Sequence, residues 1–357
     1  MCNILITGPS LNESVNISGI SSLTKVIIAN NSVEHRYFHF QIGRKDAERK
    51  GLRWFIRQLL LVPRFIVFII KNRIDFLHLN TDLTPASIYR DFLLVLTNSL
   101  LLRKKSLLHI HGGYLLMSPP PRRSLLFFAI NYMLENQSVR VVLSELERNE
   151  IKSSYNIDCS VMANAVAASH LSAIKDFSGK LTFFFMGRAV KSKGIFSIAN
   201  CLNEMSSYFD KFDFQVYGGG PDLQEFLHRL SKIKGLNYKY NGIVKGQQKE
   251  QVFVDSHIFL LPSLFGEGLP IAMLESMNAG CVPLVSDDAS IGTVVKEGHN
   301  GFLIPRGSES DLKKSLFEVF KDRNRLLKLS RNAKETIATS YRLEDYISNL
   351  NKLYKIS

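Results

Sequence analysis

Two glutamates with seven residues between them, Glu267 and Glu275, lie in the segment Phe265-Gly-Glu-Gly-Leu-Pro-Ile-Ala-Met-Leu-Glu-Ser276. The first precedes a helical pattern and the second lies one to two turns inside it. Pro270 suits the first helical turn. Glu267 therefore shares its space with the backbone N–H groups of a helix start, those of Gly268 and Leu269 among them, where anions and hydroxyls bind. An ionised Glu275 can accept hydrogen bonds from both hydroxyls of a vicinal diol such as a ribose. Taken alone, two glutamates so spaced read as charges on a helix surface.

A second segment, Met186-Gly-Arg-Ala-Val-Lys-Ser-Lys-Gly194, follows a strand pattern and precedes a helix opening at Ile195. In open α/β sheets ligands bind beyond the carboxyl ends of strands, and Gly187 and Gly194 allow a phosphate to approach the backbone. Arg188 and Lys193 suit the neutralisation of a diphosphate, each charge-assisted hydrogen bond contributing about 1.5–3 kcal/mol. Lys191 reads as solvated. The plain alternative is a basic surface turn. A third segment, Tyr217-Gly-Gly-Gly-Pro-Asp222, is a glycine turn with Pro221 at or near the first helical position and Asp222 in the first turn. It places Gly219 at another phosphate-sized opening, although a strand-to-helix turn uses glycine for backbone geometry alone. Nearer the N-terminus, His109-Ile-His-Gly-Gly113 ends a strand with His111 at its carboxyl edge, and Ser18-Gly19-Ile20 opens a helix.

The elements that must carry these groups alternate strand and helix, the rhythm of βαβ units and parallel sheets. Expected strands are residues 3–7, 37–41, 76–79, 106–110 and 140–143, then 181–186, 212–217, 258–261, 282–285 and 301–303. At 357 residues the chain exceeds what one hydrophobic core usually supports, which predicts two domains. The polar, turn-rich stretches 164–170 and 174–180 predict the linker between them. We expect domains at 1–168 and 169–340, and a last helix over 341–357 that packs back on the first. No solenoid period or low-complexity tract appears.

Apolar residues make up 45% of the chain, which excludes a disordered polymer. Cys2, Cys159, Cys201 and Cys281 form no C-x-x-C pair, so neither a zinc site nor a disulfide framework is indicated and a cytoplasmic setting fits. The N-terminal residues carry no signal-peptide pattern. Lys and Arg number 45 against 32 Asp and Glu, and residues 44–123 hold fifteen basic and five acidic residues. Within them the apolar run 57–71 is interrupted by Pro63 and Arg64 and is too short to cross a bilayer. A basic, partly apolar surface of this kind suits an anionic membrane; the alternative is a buried helix in a basic domain.

Taken together and in this order, the motifs resemble the family-4 retaining glycosyltransferases of the GT-B fold, in which two Rossmann-like doubly wound domains face each other across a cleft. The resemblance implies an E-x7-E element, Glu267 to Glu275, that approaches the donor sugar with its first glutamate and the nucleotide ribose with its second. It implies a G-R-x4-K-G element, Gly187 to Gly194, whose Arg188 and Lys193 hold the diphosphate. His111 is similar to the family histidine near the donor hexose, and Gly19 to a remnant of its N-terminal glycine-rich loop. The family's P-N-G-V-D segment survives only as Asn164 and Val166, which weakens any role for Asn164. The implied reaction is metal-independent transfer with retention, needing no cofactor; consistent with it, no Asp-x-Asp pair is present.

The expected donor is a nucleoside-diphosphate hexose or N-acetylhexosamine, uridine rather than guanosine. The expected acceptor is a polyprenyl-diphosphate-linked oligosaccharide of O-antigen, capsule or exopolysaccharide synthesis. The protein would then work on the inner face of the cytoplasmic membrane. Rival readings are a sugar-nucleotide epimerase or phosphorylase on the same scaffold, and a basic membrane-surface or nucleic-acid binding module. The last lacks stacking aromatics, a helix-turn-helix and a zinc signature, so no nucleic acid is expected as a partner.

Overall fold

The computed structural model describes residues 1–12, 18–43, 51–168 and 175–356. The chain divides into two compact units, Met1–Ala163 with Asp345–Ser357, and Asn164–Glu344. Residues 44–50 of the basic region and residues 169, 170 and 174 of the expected linker lie outside the described residues. Of that linker, the stretch from Asn164 to Ala167 belongs to the second unit: Val166 pairs with Arg342, and Asn278 donates to the Ala167 carbonyl at 3.0 Å. Asn164, Ala165 and Val166 are buried there, which a turn-rich composition does not reveal.

In the first unit six parallel strands, β1 (Cys2–Gly8), β2 (His35–Gln41), β3 (Phe76–Thr81), β4 (Lys105–Ile110), β5 (Val139–Val142) and β6 (Ser160–Val161), take the order β2-β1-β3-β4-β5-β6. Ile4, Leu5 and Ile6 are all fully buried. Successive strand residues point to opposite faces, so this run requires helices on both sides of the sheet. The helix Leu343–Ile356 packs with this unit: Asn351 and Asn31 exchange amide hydrogen bonds, and the Tyr354 hydroxyl lies 2.7 Å from Nδ1 of His78.

The second unit has β7 (Leu181–Arg188), β8 (Phe212–Gly219), β9 (Tyr238–Tyr240), β10 (Ile258–Leu261), β11 (Val282–Ser286) and β12 (Phe302–Ile304), again all parallel, in the order β12-β11-β10-β7-β8-β9. Phe183, Phe184 and Phe185 are buried on alternating faces, so this sheet too is covered twice. The short edge strands β6 and β9 carry too few apolar residues to register in the sequence. The apolar run 57–71 is two helices, Leu52–Leu59 and Leu61–Lys71. Pro63 occupies the first turn of the latter, where its missing N–H costs nothing. Among the described residues no helix is long and apolar enough to cross a membrane.

Candidate active site

Counted along the second unit's chain, the strand order is 3-2-1-4-5-6, with β7 first and β10 fourth. The chain runs outward from β7 in one direction, returns, and continues from β10 in the other. Helices then leave the sheet on opposite faces and open a crevice beyond the carboxyl ends of these two strands. Arg188 ends β7, Lys193 follows it, and Glu267 follows β10. The topology thus brings two segments that are distant in sequence to one crevice.

Their loops are fastened by backbone. Gly194 has φ +70°, and a Cβ there would lie 1.9 Å from the Pro262 carbonyl oxygen, so only glycine lets the helix Ile195–Asn203 start against the end of β10. The Leu264 N–H donates to the Ser192 carbonyl at 2.7 Å. Lys193 then donates from Nζ to both carboxylate oxygens of Glu267, at 2.5 and 2.6 Å. The Ser263 hydroxyl donates to the same carboxylate. Glu267 is only 4% exposed, a depth at which a carboxylate needs such partners. Its backbone N–H donates to Oδ2 of buried Asp288 at 2.9 Å, and Arg306 pairs with Oδ1 of Asp288 at 3.0 Å. Glu267 is therefore held through its main chain as well as its side chain.

Glu275, inside the helix Ile271–Asn278, is held by a different cation: Lys249, from the helix Gly246–Asp255, lies 2.5 Å from its Oε2. Both side chains are half-buried. Pro270 is the N-cap of the Glu275 helix, and its neighbour Leu269 is buried with its carbonyl accepting from Nδ2 of Asn164 at 2.7 Å. Gly268 lies in the loop between Glu267 and Leu269.

The third glycine segment has a backbone explanation. At Gly218, φ is +114° and a Cβ would stand 2.0 Å from the Gly187 carbonyl oxygen, so the glycines let the ends of β7 and β8 close on each other. Gly219 accepts from the Ala189 N–H at 2.8 Å. Asp222 is the N-cap of the helix Leu223–Ser231 rather than a residue of its first turn, and its carboxylate accepts from the Lys191 N–H at 2.7 Å.

In the first unit the chain order reverses between β1 and β3, the corresponding place for a ligand crevice. Gly19 begins the helix Gly19–Asn31 that follows β1. His111 follows β4, and its Nε2 lies 2.7 Å from Oδ1 of Asn80. Asn80 donates through Nδ2 to the Thr7 carbonyl, so its oxygen faces the imidazole. That network assigns the proton to Nε2 and leaves Nδ1 as an acceptor. Burial pushes the pKa of His111 down to about 3, so the ring is neutral at pH 7. Its ring lies 4.0 Å from that of His109, centroid to centroid.

Lys249, Ser263, Asp288 and Arg306 were not singled out in the sequence. Asp288 and Arg306 follow β11 and β12, so the carboxyl-end rule applied to every strand finds them. Among the described residues no group of three or more His, Cys, Asp or Glu side chains is placed to hold a metal ion.

Residues 170–336 match the family described as Glycosyl transferases group 1. The chain is 26% identical over 185 residues to an uncharacterized glycosyltransferase of Methanocaldococcus jannaschii, covering 50% of this chain and 46% of that protein. It is 30% identical over 143 residues to the Escherichia coli UDP-Gal:alpha-D-GlcNAc-diphosphoundecaprenol alpha-1,3-galactosyltransferase, covering 40% of this chain and 36% of that protein. The chain thus spans less than half the length of either curated relative. A crystal structure of Anabaena HepE in complex with UDP-glucose superposes with a TM-score of 0.78 over 99% of this chain and 100% of that one, at 14% identity. At that identity the likeness speaks for the fold, two Rossmann-like domains of the GT-B type. The crevice beyond β7 and β10 thus lies in the stretch, residues 170–336, that matches Glycosyl transferases group 1, on a chain of the GT-B fold.

Proposed function

We propose that this protein is a retaining, metal-independent glycosyltransferase. It moves a hexose or N-acetylhexosamine from a UDP-sugar to a hydroxyl of a polyprenyl-diphosphate-linked glycan in surface-polysaccharide synthesis. The observation that carries the reading is the Lys193–Glu267 pair at the β7–β10 crevice. It sets a cation for a diphosphate beside a carboxylate for sugar hydroxyls. The Anabaena structure with UDP-glucose supports the donor class, and the name of the Escherichia coli relative supports a diphosphoundecaprenol-linked acceptor.

In this reading Arg188 and Lys193 hold the diphosphate, with the backbone of Gly187 and Gly219 close to it. Glu267 and the N–H groups of Gly268 and Leu269 take the sugar hydroxyls, and Glu275 exchanges Lys249 for the ribose diol. The bond from the anomeric carbon to the leaving phosphate oxygen breaks, and a bond from the acceptor oxygen forms on the same face. The acceptor proton passes to the departing diphosphate. Catalysis rests on positioning and on cations that meet the growing charge of the leaving group.

The test is incubation with UDP-hexoses and a polyprenyl-diphosphate-linked saccharide, with the anomeric configuration of the product read by NMR. Transfer with retention is expected. Conversion of the donor without any acceptor would point to an epimerase, and an inverted product would remove the retaining assignment.

A further inference from the structure

The helix Leu52–Leu59 turns its apolar side the wrong way for a soluble domain. Leu52, Phe55, Ile56 and Leu59 recur at i, i+3, i+4 and i+7, so they form one stripe. Such a stripe ordinarily faces the core. Here all four are exposed, Leu52 by 75% and Leu59 by 65%, and none of the helix's described side chains is buried. The next helix, Leu61–Lys71, does have a core face in Leu61, Phe65 and Ile69. Its other face presents Val67 and Ile70, the latter 67% exposed, together with Arg64 and Lys71. That helix packs against Pro85–Thr97, whose continuation exposes Leu100 and Leu101 just before Arg103, Lys104 and Lys105. Exposed apolar side chains in such number mark an interaction surface.

Charge selects the partner. Residues 51–74 contain five basic and no acidic residues, and residues 98–128 again five and none. A second copy of the chain meeting this face about a twofold axis would set like charges against each other. Apolar residues along one side of a helix with cations at its margins fit a helix lying in the plane of a bilayer surface, and no helix among the described residues can span one.

We propose that the helix Leu52–Leu59 and the outward face of Leu61–Lys71 form a docking surface for an anionic lipid bilayer. The stripe inserts among the acyl chains, and Arg64, Lys71 and the other cations meet the headgroups. The surface lies wholly in the first unit, and the inference does not depend on the transferase reading.

The chain's one tryptophan, Trp54, lies in this helix and is half-buried, so its emission reports directly on docking. The full chain is titrated with vesicles of phosphatidylcholine alone and of equal parts phosphatidylcholine and phosphatidylglycerol, at low and high salt. The expected result is a blue shift of Trp54 and co-sedimentation with the anionic vesicles, at least tenfold weaker with neutral vesicles or at high salt. The double variant Phe55→Ser/Leu59→Ser is expected to lose at least tenfold in vesicle binding while keeping its circular dichroism and its binding of UDP. Absence of binding to anionic vesicles, or equal binding by the double variant, overturns the proposal. So does a dimer in light scattering that the same variant dissociates, since a second copy would then own the face. Vesicle binding without UDP binding leaves the docking surface standing and removes only the transferase reading.

Discussion

Lys193 and Glu267 arrive from different strands, 74 residues apart, and meet in a pair in which one ammonium contacts both carboxylate oxygens, at 2.5 and 2.6 Å. The carboxylate is buried and the lysine side chain is 27% exposed, so the cation is the partner that a ligand can reach. In the proposed reading, an arriving diphosphate would compete with Glu267 for Lys193 and release the carboxylate toward sugar hydroxyls. The pair holds the site in register before the donor binds.

Replacing Lys193 by Ala removes both the cation and the counter-charge of a buried carboxylate. We expect turnover to fall about 10²–10³-fold, the range for losing one preorganised electrostatic partner, with a lowered melting temperature. Arg188→Ala should lose turnover with less effect on melting. Steady-state kinetics with a UDP-sugar, beside calorimetric melting, checks both; wild-type turnover in Lys193→Ala would remove the lysine from the mechanism.

Asp288 holds the Glu267 loop without facing the substrate in this account. Asp288→Ala leaves the Glu267 N–H and the Arg306 guanidinium without their acceptor. Because Arg306 is half-exposed, a cost of about 2–3 kcal/mol is expected rather than more. Urea denaturation measures it. A change under 0.5 kcal/mol would show that the loop is held by other contacts.

Glu275→Ala should weaken UDP binding about 10-fold or more, since it removes the acceptor of two hydroxyl hydrogen bonds at about 1 kcal/mol each. Lys249→Ala frees the same carboxylate and should leave UDP affinity within a few-fold of the parent. Equal losses in the two variants would mean that the ion pair itself is part of the bound state.

Acid sensitivity should concentrate in the first unit. Burial, reinforced by neighbouring His111, lowers the pKa of His78 to about 3, and burial lowers that of His111 to about 3. The folded values lie below the unfolded value near 6.5, so the unfolded chain binds protons first as pH falls. Stability is complete above that value and declines steadily toward pH 3. At pH 5 each ring should already cost about 2 kcal/mol. His78→Gln should flatten the decline of urea stability between pH 7 and pH 5; an unchanged slope would contradict the assignment.

The sequence carried the parallel strands because their buried runs, such as Phe183 to Phe185, are continuous and flanked by helix patterns. It carried Glu267, Glu275, Arg188 and Lys193 because their types and spacing are unusual together. Lys249 and Arg306 have no such signature: each is a common surface cation until the fold sets it beside a carboxylate. The orientation of the Leu52–Leu59 stripe was illegible for a different reason. An apolar residue every third or fourth position shows that a helix has a face, and only the packing of Phe65 and Ile69 next door shows which face the core has taken.

Calorimetric titration of the full chain with UDP and GDP, each with and without a chelator, tests the donor assignment. Binding of UDP that survives chelation and is weakened in Glu275→Ala is expected. Failure of both nucleotides to bind, or UDP binding that vanishes with the chelator, would contradict it.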